Sequence, residues 1–373
     1  MLTCEYKKQL TKHQLLEMKD TEKKLKEELC KHFVGQSQRL KMLTKLILSM
    51  LKLSTVSYSK LCLVLNPEVK KESNYKRIQR FVKEFNFCQK GYIQFVWKLF
   101  VSKNEWVALS VDRTNWKFGK SNINILLIGI SYKGTAIPLI WQLLDKRGNS
   151  STAERIALMN KLLGQLNLEQ KKQIKCLLAD REFIGKEWLS YLKKMSFTFV
   201  IRIRNNSLMR KFGKIKEVKV SAYFSQKHFK ALRKPRIIFG HKLYIGGQKT
   251  AGKEWLILIS DLPISQGKIF YGERWGIEVF FGSCKIRGFN FEDTPITKPE
   301  RLSNLVFLIA LAFVWALKTG ESLLKKGYRI PIKKLKNRKA KLFSLFRIGL
   351  DFLKERLLNF LCLKNEIQLL SCT

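Results

Sequence analysis

Residues 106–143 carry the sequence WVALSVDRTNWKFGKSNINILLIGISYKGTAIPLIWQL, from which the class of fold can be predicted. Three apolar runs rich in β-branched residues occupy 106–111, 123–132 and 136–143, and short glycine-containing segments separate them. Runs of this length between turn residues predict strands, and their short connections predict an antiparallel meander of three strands.

A helix and further strands are predicted after this meander. Ser151 followed three residues later by Glu154 is the pattern of a capping box, which predicts a helix running to about Leu166. The next predicted elements are a strand at 174–179, a helix at 185–195 and a strand at 197–203. Three strands, helix, strand, helix, strand is the order of a ribonuclease-H-like α/β fold.

The flanking segments have a different character. Basic residues alternate with β-formers between 205 and 262, which predicts a mostly β insertion in the core. Ser265 can cap a helix that continues to about Arg287. We therefore expect three parts: a helical region at 1–101, the α/β domain at 102–320 with its insertion, and a basic helical region at 321–373.

The charge indicates a polyanionic partner. The 373 residues include 72 Lys and Arg against 29 Asp and Glu, a net charge of +43. Self-repulsion of this size opposes folding, and binding to nucleic acid is the usual reason for it. The basic residues recur along the whole chain, so we expect a long nucleic-acid-binding surface. A structural RNA-binding role is the alternative that charge alone leaves open.

The first 101 residues are expected to bind DNA. An apolar segment at 58–65 precedes a basic helix predicted from Tyr75 to Phe85 with Ser73 as its cap, a pattern similar to a helix-turn-helix. Solvated basic helices are the alternative.

Other features argue against zinc and against a membrane. The eight cysteines form no C-x-x-C pair and lie away from the histidines in sequence, so we expect reduced thiols in a cytoplasm. The longest apolar run, 305–317, is too short to span a bilayer and predicts a buried helix.

Two aspartates each follow an apolar strand, Asp112 after the first and Asp180 after the strand at 174–179. If these strands are neighbours in one sheet, both carboxylates project at the same edge. Close carboxylates repel unless a positive charge lies between them, and Mg²⁺ is often held by one or two carboxylates. A turn-initiating role for each aspartate is the alternative.

A stripe of polar residues occupies the predicted helix after Ser265. Tyr271, Arg274, Glu278 and Lys285 are spaced 3, 4 and 7 residues apart, so on one helix they fall within about 60° of one another. Glycines in the same segment lower helix stability, and we expect them to permit close backbone approach. A solvated charged face is the alternative.

The pattern Y-x2-R-x3-E-x6-K, placed after two aspartates, resembles the signature of the bacterial DDE transposases of the fourth insertion-sequence family. The contexts DRTNW at Asp112 and ADREF at Asp180 are similar to the first and second acidic motifs of that family. The resemblance covers about residues 100–320, and the long separation of Asp180 from Glu278 agrees with a β insertion.

The resemblance implies a cut-and-paste transposase. Asp112, Asp180 and Glu278 would be the catalytic triad and hold two Mg²⁺ ions, with Mn²⁺ as a substitute. The partners would be double-stranded DNA, both the terminal inverted repeats of the transposon and the target, bound by a homodimer that cuts through a hairpin. We expect a bacterial cytoplasmic protein associated with the nucleoid.

The resemblance also implies contacts to the end DNA. Tyr271, Arg274 and Lys285 would contact phosphates, and a tryptophan would stack on a flipped base, with Trp275 and Trp255 as candidates. The apolar positions in the C-terminal helix are a candidate dimer contact or an ordinary core face: Leu342, Phe346 and Leu350. Two other functions stay open, a catalytically silent transposase-derived DNA-binding protein and a structure-specific nuclease on the same fold.

Overall fold

A computed structural model of the chain describes residues 12–33, 35–224, 228–250, 252, 254–335 and 338–372. The chain divides into two compact units. The α/β unit comprises 101–117 and 122–280, and the helical unit comprises 1–100, 118–121 and 281–373.

Within the residues that the structure describes, five helices precede the first strand. They are α1 (Lys12–His32), α2 (Ser37–Leu53), α3 (Tyr58–Val64), α4 (Lys71–Glu84) and α5 (Gln89–Phe100). Ser73 lies inside α4 and does not cap it, contrary to the sequence prediction. The side-chain amide of Asn74 closes the turn between α3 and α4 instead, because it donates to the carbonyls of Cys62 and Asn66 at 3.1 and 2.8 Å.

The predicted meander is confirmed. It consists of β1 (Val107–Phe118), β2 (Ser121–Tyr132) and β3 (Thr135–Leu143). Lys133 and Gly134 have φ of 45° and 83°, and two positive φ values are what a tight I′ hairpin turn requires. The first strand is longer than predicted, since β1 continues through Asp112 to Phe118.

The remaining core elements follow in the predicted order. They are α6 (Thr152–Gln165), α7 (Leu168–Gln173), β4 (Ile174–Ala179), α8 (Lys186–Lys194) and β5 (Phe199–Ile203). Ser151 and Glu154 form the capping box of α6. Strand β4 pairs in parallel with β1 and with β5, and the sheet order is β3-β2-β1-β4-β5. This order confirms the ribonuclease-H-like α/β fold.

Part of the insertion extends this sheet, and another part forms a separate two-stranded sheet. Its strands are β6 (Leu208–Met209), β7 (Val218–Lys219), β8 (Lys230–Ala231), β9 (Arg236–Ile238), β10 (His241–Lys249) and β11 (Trp255–Ser260). Strand β11 pairs antiparallel with β5, and β10 pairs with β11. The edge of β5 is therefore covered, which removes an open template for strand pairing.

The single helix predicted from Ser265 to Arg287 is instead two helices, α9 (Gly267–Glu273) and α10 (Trp275–Cys284), which break at Arg274. Tyr271 of α9 packs on the side of the sheet formed by β4, β5 and β11. A Cβ at Gly276 of α10 would lie 2.4 Å from the carbonyl oxygen of Thr135, so α10 packs its backbone against the start of β3. The break lets the two helices meet different strands.

The C-terminal elements are α11 (Pro299–Lys325), β12 (Ile332–Leu335), β13 (Arg338–Lys341), α12 (Leu345–Leu358) and α13 (Lys364–Gln368). The predicted boundary at residue 320 lies inside α11. By length and composition α11 could cross a membrane, and 89% of its apolar window is buried inside the structure. The run 305–317 is buried as predicted.

The helical unit joins N-terminal and C-terminal helices in one core. The side-chain amide of Asn304 in α11 donates to the carbonyls of Val82 and Phe85 at 2.9 and 2.7 Å. The ring of Phe307 lies 5.8 Å from that of Phe33 and 5.6 Å from that of Tyr92. Residues predicted as separate end regions therefore share a core.

The candidate dimer contact is part of this core. Phe346 and Leu350 of α12 are 2% and 0% exposed, and the Phe346 ring stacks on Phe313 at 4.8 Å. Leu342 lies before α12 and is 50% exposed. Phe346 and Leu350 are thus unavailable to a partner, and the core alternative is correct for both.

We expect Gly276→Ala to lower the free energy of unfolding by about 1–3 kcal/mol, because the new methyl group overlaps the Thr135 carbonyl. Gly272→Ala is the matched control, since nothing lies within 4 Å of its added Cβ, and it should raise stability by about 0.4–1 kcal/mol. Urea denaturation of both variants checks this. Equal effects would mean that α10 does not pack backbone to backbone on β3.

Candidate active site

The parallel register of β1 and β4 brings two aspartates together. Val111 pairs with Ala179, and Asp112 and Asp180 are the next residues along these two adjacent strands. Strand β4 ends at Ala179 while β1 continues, so Asp112 lies within β1 and not at its end as predicted. The expectation that both aspartates share one edge of the sheet is confirmed.

Helix α9 supplies a buried hydroxyl to this edge. The Tyr271 side chain is 8% exposed, and its hydroxyl donates to Oδ1 of Asp180 at 3.3 Å. Burial is the main cause that raises the pKa of Tyr271, so the hydroxyl keeps its proton and acts as a donor. The contact orients the Asp180 carboxylate.

The guanidinium of Arg274 lies between two carboxylates. At the break between α9 and α10, its two terminal nitrogens donate to Oδ2 of Asp112 at 3.2 Å and to Oε1 of Glu278 at 2.5 Å. The Arg274 side chain is 6% exposed, and its Cζ stands 5.5 Å from the centre of the Tyr271 ring. Tyr271, Arg274 and Glu278 therefore meet at one place, although not on one continuous helix.

The site is short of positive charge. The pKa of Asp112 is raised to about 7, mainly by burial and also by the neighbouring carboxylates of Asp180 and Glu278, while the backbone N–H of Arg113 and the charge of Arg274 oppose the rise. Burial lowers the pKa of Arg274, but Tyr271, Glu278 and Asp112 outweigh that effect and raise it above its ordinary value. One guanidinium balances the charge of three carboxylates, and this imbalance favours the binding of an additional cation.

The donor set suits a hard divalent cation, because carboxylate oxygens are the ligands that Mg²⁺ and Mn²⁺ take in proteins. Among the described residues, no three His, Cys, Asp or Glu side chains surround a common point closely enough to hold an ion. Arg274 spans the gap between Asp112 and Glu278, so a cation bound by both must displace it. The Nε atom of Arg274 is buried without a hydrogen-bond partner in the described part of the chain, so one hydrogen-bond donor of this guanidinium is unsatisfied.

Three predicted DNA contacts lie outside this cluster. Lys285 follows α10 and its Nζ lies 2.6 Å from Oε1 of Glu292, within the helical unit. Trp275 adjoins Arg274 and is 60% exposed. Trp255 begins β11, and the ammonium of Lys249 stands 5.6 Å from its ring centre.

Sequence reasoning missed the partner of Glu182. The Glu182 carboxylate binds Arg113, and the Nε of Arg113 lies 3.0 Å from Oε1 of Glu182. The only available signal was position, since Arg113 directly follows Asp112 and Glu182 lies two residues after Asp180.

The chain is similar to known proteins in its sequence and in its fold. Residues 107–315 match the family model described as the transposase DDE domain. A cryo-EM structure of the piggyBac transposase synaptic complex with hairpin DNA is similar at 11% identity, with 87% of this chain and 71% of that chain covered and a TM-score of 0.45. No curated protein sequence gives a significant match.

We expect Arg274→Gln to lower the free energy of unfolding by about 3 kcal/mol in metal-free buffer, because it leaves the Asp112 and Glu278 carboxylates unpaired. Adding Asp112→Asn to Arg274→Gln should recover part of that loss, since one unpaired charge is then removed. Urea denaturation with a chelator present measures both.

The control is Arg202→Gln, which removes a pair whose partner Glu254 is 77% exposed and should cost about 1 kcal/mol or less. If the double variant were no more stable than Arg274→Gln alone, the Arg274–Asp112 contact would not exist in solution.

Proposed function

The chain belongs to the family of transposases with a DDE domain, whose model spans more than half of its residues, and from this premise we propose that it cuts transposon ends and joins them to target DNA. The observation that carries the proposal is the convergence of Asp112, Asp180 and Glu278 on one edge of the sheet around Arg274. A protein that only bound DNA would have no physical need for three crowded carboxylates.

Asp112, Asp180 and Glu278 would hold two Mg²⁺ ions, for which Mn²⁺ can substitute, once the Arg274 bridge opens. Bound there, such ions activate a water or a DNA 3′-hydroxyl and stabilise the leaving oxygen. The same carboxylates can serve nicking, hairpin formation, hairpin opening and joining, because each step is an in-line attack on a phosphodiester.

The other side chains at this edge of the sheet would orient the carboxylates and the DNA. Tyr271 orients Asp180 through its hydroxyl. Arg274, once released from Asp112 and Glu278, can donate several N–H groups to a phosphate, a contact that is stronger than one between neutral groups. Lys285 would bind a phosphate in place of Glu292. These roles follow the four-residue signature of the fourth insertion-sequence family.

A hairpin at the transposon end requires a base near the turn to leave the stack, at a cost of a few kcal/mol. Stacking on an aromatic ring returns roughly 1–3 kcal/mol per base. Trp275 suits this role because it is 60% exposed beside Arg274. Trp255 is partly buried under Lys249 and is the second candidate.

The N-terminal region would recognise the terminal inverted repeats. The turn between α3 and α4 is locked by Asn74, and basic side chains lie on the exposed face of α4: Lys76, Arg77, Arg80 and Lys83. This arrangement supports a helix-turn-helix motif that recognises DNA. Pairing of two ends would need a homodimer, and with a DNA substrate the protein would act at the bacterial nucleoid in the cytoplasm.

The test is cleavage of labelled duplexes that carry the inverted repeats flanking the gene, with Mg²⁺ or Mn²⁺ present. Asp112→Asn, Asp180→Asn and Glu278→Gln should each reduce strand cleavage to the level of the metal-free reaction, because each removes a metal ligand. End binding, measured by fluorescence anisotropy, should survive in all three. Glu254→Gln is the control, since its side chain is 77% exposed and lies outside the carboxylate cluster.

The alternatives give different results. End binding without cleavage by the unaltered chain would identify a silent DNA-binding protein. Equal cleavage of duplexes with scrambled repeats and of branched DNA would identify a structure-specific nuclease. Normal metal-dependent nicking by any one of the three variants would contradict the assignment of that residue.

A further inference from the structure

A second ion pair crosses between the two acidic segments. The Nε of Arg113 donates to Oε1 of Glu182 at 3.0 Å, and a terminal nitrogen of the same guanidinium donates to Oε2 at 3.1 Å. This is the two-point geometry that makes arginine–carboxylate pairs strong and directional. The two residues are 69 positions apart in sequence, and they join the strand that carries Asp112 to the segment that follows Asp180.

The pair is held on all sides by other polar groups. A terminal nitrogen of Arg113 also donates to Oδ1 of Asn124 on β2 at 3.0 Å. Oε1 of Glu182 accepts hydrogen bonds from the backbone N–H and the hydroxyl of Ser150, both at 3.1 Å. The Asn124 amide in turn donates to the carbonyls of Lys146 and Gly148, each at 3.0 Å. The pair therefore fixes β1, β2, the loop before α6 and the loop after β4 to one another.

Stability alone gives a weak reason for this pair. The side chains of Arg113 and Glu182 are only 11% and 16% exposed, and removing two charges from water costs about as much as their attraction returns. An apolar pair of similar volume would hold the loops together equally well. What an apolar pair would not supply is a defined distance and orientation between the two loops.

The ion pair of Arg113 and Glu182 is also connected to the carboxylate of Asp112. The backbone N–H of Arg113 donates to Oδ1 of Asp112 at 2.7 Å, so a fixed Arg113 also fixes the Asp112 carboxylate. Both oxygens of Glu182 are engaged by Arg113 and Ser150, so Glu182 is not free to act as a metal ligand.

We infer that Arg113 and Glu182 are positioning residues whose ion pair sets the separation of Asp112 and Asp180 at which metal binds. The pair has this role only if the proposed function holds. It differs from the Arg274 bridge, which must open for metal to enter, because the Arg113–Glu182 pair must stay closed.

The test measures metal affinity directly on the full chain. Glu182→Gln keeps the shape and removes the charge, and Arg113→Lys keeps the charge and removes the two-point contact. We expect each to weaken Mn²⁺ binding, followed by calorimetry and Mn²⁺ paramagnetic resonance, by about 10- to 100-fold. The Mg²⁺ concentration for half-maximal cleavage should rise by a similar factor, while the rate at saturating Mg²⁺ stays near that of the unaltered chain.

Glu154→Gln is the matched control. It breaks the Lys146–Glu154 pair in the same unit, at 2.7 Å with side chains 35% and 25% exposed, and glutamine preserves the capping box of α6. Its metal affinity should equal that of the unaltered chain.

Several results would overturn the inference. Unchanged Mn²⁺ affinity in Glu182→Gln and Arg113→Lys, in a chain whose cleavage depends on Asp112, would refute it and leave the proposed function intact. Slower cleavage at every Mg²⁺ concentration with unchanged affinity would indicate a DNA contact instead. Unfolding of both variants would assign the pair to stability alone. A chain that neither binds Mn²⁺ nor cleaves DNA would refute both the proposed function and the inference.

Discussion

The guanidinium of Arg274 between the carboxylates of Asp112 and Glu278 is the contact around which the rest of the site is arranged. It requires three separate features of the fold. The β1–β4 register places Asp112 beside Asp180, the break between α9 and α10 turns Arg274 toward them, and the missing side chain at Gly276 lets α10 approach β3. Without any one of these features, three carboxylates from distant parts of the sequence would not share one buried cation.

In the proposed function, Arg274 and a divalent metal would compete for the same oxygens, which would couple metal entry to the release of the guanidinium. In the structure described here the arginine supplies the charge that keeps the carboxylates from repelling one another. With a metal ion supplying that charge, Arg274 would become available for a DNA phosphate beside the site. The Arg113–Glu182 pair has no such competitor, since its oxygens and nitrogens are already bound within the chain. In this proposal the site combines an ion pair that stays closed, Arg113–Glu182, with one cation that can be exchanged, the Arg274 guanidinium.

Much of this architecture could be predicted from local patterns. Apolar runs between glycine turns predict β1, β2 and β3, and the Ser151–Glu154 pattern predicts the start of α6, because both signals lie within a few residues. The pairing of β11 with β5 could not be predicted, since edge pairing depends on which strand edge is left open. The close approach of Gly276 to Thr135 joins residues far apart in sequence, and the partner of Glu182 is 69 residues away. The spacing of Tyr271, Arg274 and Glu278 therefore identified side chains that do lie together, although the single helix predicted from it was incorrect.

The most direct test is a crystal structure of the full chain soaked in Mn²⁺, with anomalous scattering recorded at the manganese edge. Anomalous peaks are expected among the carboxylates of Asp112, Asp180 and Glu278, and the Arg274 guanidinium is expected to have left its position between Asp112 and Glu278. Manganese bound elsewhere would contradict the proposed metal site. Manganese bound at these carboxylates while Arg274 still contacts both Asp112 and Glu278 would contradict the proposed exchange of arginine for metal.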